Sequence, residues 1–200
     1  MIEKLKPFYN NVLSPVAAAL EKINVHPNVV TIAGVAVSIA AGYLAATGKW
    51  SLAALVVSIG ACLDGLDGVL ARRTDRKTSF GAVLDSTCDR VTEMAWFFGL
   101  IVYYLKHPVW GHIGIYLSYA ALCGSILVSY IRARAEGETL WCSAGILQRP
   151  ERIIILIACF FLGPKAMIIG MALLTLFASI TVVQRLVIVF SKDKKKGDWD

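Results

Sequence analysis

Apolar residues run along the chain in long stretches separated by short basic, Pro or Gly punctuation. Several stretches are about 20 residues long, enough to cross a hydrocarbon core of about 30 Å as a helix. The pattern predicts transmembrane helices from Pro27 to Thr47, Trp50 to Arg72, Phe80 to Leu105, Gly111 to Arg134, Gln148 to Gly163 and Lys165 to Ser191, with breaks at Gly48, Pro108 and Gly163-Pro164. The fifth has an uncharged run of only Ile153 to Gly163, so it must start near Gln148 and carry Arg149 and Arg152 in its first turns. Residues 1–25 differ. There Ile2, Leu5, Phe8, Val12, Leu13, Val16 and Leu20 are interleaved with Lys4, Lys6, Asn10, Glu21 and Lys22, the pattern of an amphipathic helix lying on a membrane surface, bent at Pro15. The ending K-D-K-K-K-G-D-W-D reads as a frayed polar tail. The expected fold is an all-α integral membrane protein: a juxtamembrane amphipathic helix at 1–25, six transmembrane helices at 26–191 and a cytoplasmic tail at 192–200.

Composition removes the soluble alternative. The chain is 57% hydrophobic and 17% charged, with a mean hydropathy of +0.65. Its net charge of +6 is concentrated at Lys4 to Lys22, Arg72 to Lys77, Arg132 to Arg152 and Lys192 to Lys196, while the other loops hold little beyond Lys49, Lys106 and Lys165. The positive-inside rule then places both termini on the cytoplasmic side of the cell membrane. Basic residues that flank spans suit anionic lipid headgroups and do not form the basic face of a nucleic-acid-binding protein. Met1 to Lys22 lacks an apolar core followed by a small-residue cleavage site, so the first span is expected to act as its own signal. The five cysteines are an odd set without C-x-x-C and read as small buried hydrophobes.

Charge inside the apolar runs carries the chemistry. Leu63 to Arg90 contains D-x2-D-G-x2-A-R-x8-G-x3-D-x3-D. Asp64 and Asp67 are spaced i, i+3 near the end of one span, and Asp85 and Asp89 i, i+4 near the start of the next, so each pair occupies one helical face. With Arg73 to Ser79 as the turn, Asp67 and Asp85 sit about 8 Å into their helices and Asp64 and Asp89 about 12 to 14 Å, so an antiparallel pair brings all four to matching levels. Four bare carboxylates there would repel one another, and each would cost roughly 3 kcal/mol to insert. Divalent cations such as Mg²⁺ or Mn²⁺ offset that charge best, because the donors are oxygens and Cys88 is the lone soft side chain among them. Gly68 would let a phosphate or ribose approach the backbone, and Arg72, one turn on, can pair with phosphate in two-point fashion. Asn28 and Thr31, on the first turn after Pro27, either cap that helix or meet a nucleotide. Ala71 and Gly81 read as packing positions, and Arg90 and Glu93 as an i, i+3 ion pair.

The motif is the signature of the CDP-alcohol phosphotransferase family, which the chain resembles over most of its length, P-N-x-V-T at residues 27–31 included. The resemblance implies two divalent cations that bind the pyrophosphate of a CDP-lipid, transfer of the lipid-bearing phosphate to an alcohol, and release of CMP. It implies metal binding by Asp64, Asp67, Asp85 and Asp89, with Asp89 also the general base. Contacts to the CDP moiety are implied for Pro27, Asn28, Val29, Val30, Thr31, Gly68, Arg72 and Thr78. A homodimer is implied as well, with Gly99 and Gly124 as candidate interface positions.

A second constellation is basic: Ser129 and Arg132 at the end of the fourth span, Arg149 and Arg152 at the start of the fifth, and Arg185 about four residues inside the sixth. Arg132, Arg152 and Arg185 either grip a phosphorylated acceptor or signal topology and pair with Glu136, Glu138 and Glu151. The phrases L-D-S-T-C-D-R and S-Y-I-R-A-R-A-E resemble those of phosphatidylinositol-phosphate synthases and their archaeal counterparts, in which such positions bind inositol phosphate; Arg132 stands where the bacterial enzymes tend to have Lys. Glycerol 3-phosphate or serine are the alternative acceptors, although enzymes using glycerol 3-phosphate usually carry L-D-P in place of L-D-S-T. Buried carboxylates also mark cation transporters, but these cluster in one half of the bilayer beside phosphate-binding positions.

Overall fold

The structure is a computed structural model that describes residues 6–107, 109–142, 145–146 and 148–197. Among the described residues it is helical throughout: α1 (Lys6–Lys22), α2 (Pro27–Ala46), α3 (Trp50–Arg73), α4 (Ser79–Leu105), α5 (Gly111–Gly137), α6 (Arg149–Leu162) and α7 (Pro164–Gly197). These helices form two compact units, the first ending at Lys106 and the second beginning at His107. Among the described residues four segments are long and apolar enough to cross a membrane, namely α2, α3, α5 and Pro164–Asp193 of α7. The other two expected spans fall short for different reasons. With 27 residues α4 has the length, but Asp85, Asp89, Arg90 and Glu93 lower its apolarity. With 14 residues α6 reaches only about 21 Å.

The helix α7 runs through Lys192 to Gly197, the first part of the predicted polar tail. Residues 1–5 of the predicted surface helix, the break at Pro108 and the last three tail residues lie outside the described residues.

In the first unit, α1 lays Leu13 and Ala17 into a core with Val30 of α2 and Leu66, Val69 and Leu70 of α3. Arg73 fastens this contact, its Nε donating to Glu21 at 3.1 Å and its Nη1 to Ser14 at 3.2 Å. Val12 and Val16 stay exposed, so the helix keeps an apolar face that the protein does not cover. The helix α2 packs closely along both α3 and α4. Close backbone packing in this unit thus runs through α2, while α3 and α4 approach each other through the side chains of their acids.

Small residues allow the close crossings. A Cβ added at Gly99 would overlap the Gly42 carbonyl, and one at Gly42 the Ala95 carbonyl, so α2 and α4 meet backbone to backbone. In the second unit Gly124 of α5 lies against Ala178 of α7, and Gly170 of α7 against Cys159 of α6. Gly99 and Gly124, candidates for a dimer interface, are thus both occupied within their own units. Gly99→Ala is expected to destabilise the protein by about 1–3 kcal/mol through overpacking against a backbone that has no rotamer to yield, read as a lower thermal midpoint in detergent. The cysteines are all free, and Cys142 and Cys159 are buried as expected, but Cys62 is exposed.

Candidate active site

The C-terminal half of α3 and the first turns of α4 supply the acids. Asp64, Asp85 and Asp89 each offer a carboxylate oxygen, and these oxygens all lie within 4.8 Å of one another. The donor set is entirely oxygen and comes from two rigid helices, which fits a hard divalent cation of the Mg²⁺ or Mn²⁺ class. Asp67 stands outside that group of three. It is buried, and its Oδ2 accepts a hydrogen bond from the Thr31 hydroxyl at 2.5 Å, although Asp64 and Asp85 still act on it electrostatically. The expected meeting of four carboxylates is therefore a group of three beside a fourth that is tied to α2. Arg90, expected to pair with Glu93, reaches back along α4: its Nη1 lies 3.4 Å from Asp89 Oδ2 and donates to the Ser86 carbonyl. Glu93 itself is buried.

A cleft of about 230 Å³ opens at the N-terminal ends of α2 and α4 and the C-terminal end of α3. Pro27, Asn28, Thr31, Asp67, Gly68, Arg72, Thr78 and Asp85 all line it. Val29 and Val30, grouped with them in the sequence, do not. A helix turns about 100° per residue, so Val29 is left 57% exposed while Val30 is 5% exposed and packs into the α1–α3 core. Arg76 and Lys77 also line the cleft, as do Ala71, Gly81 and Ala82. Arg76 and Lys77, expected only as membrane-flanking charge, sit on the loop joining the two acid-bearing helices, which was the signal available for them, whereas Ala71 and Gly81, expected as packing positions, lie within α3 and α4.

Capping explains why the cleft has this shape. His26 is the N-cap of α2, its Nδ1 accepting from the Asn28 amide at 3.2 Å, so Asn28 and Thr31 are not needed as caps. Thr78 is the N-cap of α4, its hydroxyl accepting from the Gly81 amide at 2.9 Å. A Cβ at Gly81 would lie 3.0 Å from that hydroxyl and 3.5 Å from Asn28 Oδ1, which marks how near the two helix starts approach. Arg72 Nη1 would lie 3.5 Å from a Cβ on Gly68. Helix N-termini, a bare glycine and three basic side chains around one cleft suit a ligand that carries phosphate.

The second unit holds the other basic residues. Arg185 is 3% exposed and Arg152 4% exposed; Arg149 and Ser129 are half-buried. Arg185 donates through Nη1 to the Val128 carbonyl, and the charges of Arg132, Arg152 and Glu136 all reach it. Arg132 pairs with Glu136 at 2.8 Å and Arg134 with Glu138, both at i, i+4 spacing. The exposed pairs follow the alternative of topology signalling and local pairing and add little stability. Arg152 and Arg185 differ in being almost wholly withdrawn from solvent, where a planar guanidinium suits recognition of phosphate.

Comparison with known proteins matches this arrangement. Residues 24–190 match the CDP-alcohol phosphatidyltransferase family. The archaetidylinositol phosphate synthase of Pyrococcus horikoshii is 35% identical, covering 92% of this chain and 94% of its own length. The crystal structure of the Mycobacterium tuberculosis phosphatidylinositol phosphate synthase with CDP-DAG bound is similar at a TM-score of 0.83 and 37% identity, covering 90% of this chain and 94% of that one. The same enzyme in complex with manganese and citrate gives a TM-score of 0.81 at 37% identity, covering 89% and 88%. By its motif, by the extent of the match and by the fold that carries its acids, this chain belongs to the CDP-alcohol phosphatidyltransferase family.

Proposed function

We propose that the protein transfers the phosphatidyl-type group of a CDP-lipid to inositol 1-phosphate and releases CMP. The observation that carries this reading is the three-acid group beside a cleft lined by helix N-termini and Arg72, Arg76 and Lys77. The likeness to inositol phosphate synthases over nearly the whole chain supports the acceptor.

On this reading the pyrophosphate of the donor occupies the cleft, with Gly68 admitting it to the backbone and Arg72 pairing with it. The acceptor hydroxyl oxygen bonds to the lipid-bearing phosphorus, the bond from that phosphorus to the CMP oxygen breaks, and Asp89 takes the hydroxyl proton. Asp64, Asp67, Asp85 and Asp89 would hold two divalent cations, whose chemistry is to neutralise the pyrophosphate and the charge that develops on the departing oxygen. Buried Arg152 and Arg185, with Arg132, read the phosphate of the acceptor, and Ser129 and Arg149 complete that site.

In the membrane, α2 to α7 make the six crossings and α1 lies on the cytoplasmic surface, with both termini and the active site on that side. Ligand charge accounts for the acids that lower the apolarity of α4, and α6 crosses as the shortest member. The protein works as a homodimer.

An acceptor screen tests this proposal. Purified protein is supplied with CDP-diacylglycerol or CDP-archaeol, Mg²⁺ or Mn²⁺ and one acceptor at a time, and CMP is measured. Release with inositol 1-phosphate is the expected result. Release with glycerol 3-phosphate or serine alone would reassign the acceptor, and ion flux in liposomes without CMP would remove the enzyme reading.

A further inference from the structure

Asp67 is held unlike the other acids. The residue is 6% exposed, and the Thr31 hydroxyl reaches its carboxylate from a different helix at 2.5 Å. Two acceptors lie near that hydroxyl, the Pro27 carbonyl at 3.3 Å and Asp67 Oδ2. The shorter, charge-assisted contact takes the proton. Thr31 is β-branched and half-buried on the first turns of α2, so its side chain has few rotamers in which to swing away. The contact takes one lone pair of Oδ2 and so fixes the plane in which the carboxylate can present its remaining lone pairs to a cation.

We infer that Thr31 is a positioning residue for the metal centre: by tying one carboxylate oxygen of Asp67 to α2 it sets the orientation in which Asp67 binds a divalent cation. This rests on the reading of the four acids as cation ligands and assigns Thr31 a task other than nucleotide contact, although its side chain lines the same cleft. Partners of this kind typically change metal affinity by about 10- to 100-fold when removed. The consequence reaches beyond one bond, because α2 is the helix that packs on both α3 and α4.

The test titrates Mn²⁺ into the full-length protein in nanodiscs without CDP-lipid and reads free Mn²⁺ by electron paramagnetic resonance. Thr31→Val, Thr31→Ala and Thr31→Ser are compared with the unaltered chain, and the KM for CDP-lipid is measured in parallel at saturating Mn²⁺. Thr31→Val and Thr31→Ala are expected to weaken Mn²⁺ binding by about tenfold or more, with Thr31→Ser near the starting affinity. Thr31→Ala keeps the comparison open should valine disturb the packing of α2. Unchanged Mn²⁺ affinity in Thr31→Val and Thr31→Ala would overturn the inference, above all with a raised KM for CDP-lipid. So would a Thr31→Ser variant as weak as Thr31→Val. Failure of the unaltered chain to bind Mn²⁺ would instead overturn the reading of the acids themselves.

Discussion

Asp89→Asn is expected to lower turnover by at least about 10²-fold while leaving CDP-lipid binding close to that of the unaltered enzyme, because general-base catalysis typically contributes about 10²- to 10⁴-fold. The carboxamide has the size of the carboxylate and keeps one oxygen that can contribute to the group formed with Asp64 and Asp85. What it lacks is the capacity to accept the acceptor's proton. Arg90, 3.4 Å from Asp89 Oδ2, also donates to the Ser86 carbonyl, so it keeps a partner when the charge beside it is removed and the fold of α4 is preserved. CMP release and CDP-lipid binding, measured on the same preparation, separate the two effects. Normal turnover would dismiss Asp89 as the base, and loss of CDP-lipid binding in step with turnover would make it a ligand only.

The second large effect is expected at Arg185. Hydrogen bonds to charged groups are worth about 1.5–3 kcal/mol, so Arg185→Gln should raise the KM for inositol 1-phosphate by about 10- to 100-fold and leave the KM for CDP-lipid unchanged. Glutamine removes the charge and is two bonds shorter, so the contact with the Val128 carbonyl goes with the guanidinium and the melting temperature is measured beside both KM values. A lower melting temperature with no change in either KM would return Arg185 to a structural role. Arg132→Gln provides the contrast: it is exposed and already paired with Glu136 at 2.8 Å, so a smaller change is expected there.

Much of the fold was visible in the sequence because hydrophobic runs, prolines and glycines set helix ends directly. The predicted start at Pro27 and the end at Leu105 coincide with those of α2 and α4, and Gly111 opens α5 as expected. Lateral packing was not visible. Spacing alone shows that Asp64 and Asp67 share a face and that Asp85 and Asp89 share another, but not that α2 lies along both helices and takes Asp67 for itself through Thr31. Rotation about a helix axis separated Val29 and Val30 from Asn28 and Thr31, and the motif P-N-x-V-T carries no mark of that. Arg90 had two acids within reach, one on each side, and local spacing could not decide between them. Polar composition gave no sign that the helix before the tail continues to Gly197.

The two units separate at Lys106, and the signature acids, the cleft lined by Arg72, Arg76 and Lys77, and α1 all belong to the first. The buried arginines belong wholly to the second. On the proposed reading, the half that handles the activated lipid and the half that selects the headgroup are consecutive pieces of chain, each with its own internal packing. Headgroup chemistry can therefore diversify during evolution through exchange or drift in the latter piece alone, and chimeras joined near residue 106 are the natural place to look for relatives that make a different phospholipid with the same nucleotide-activated precursor.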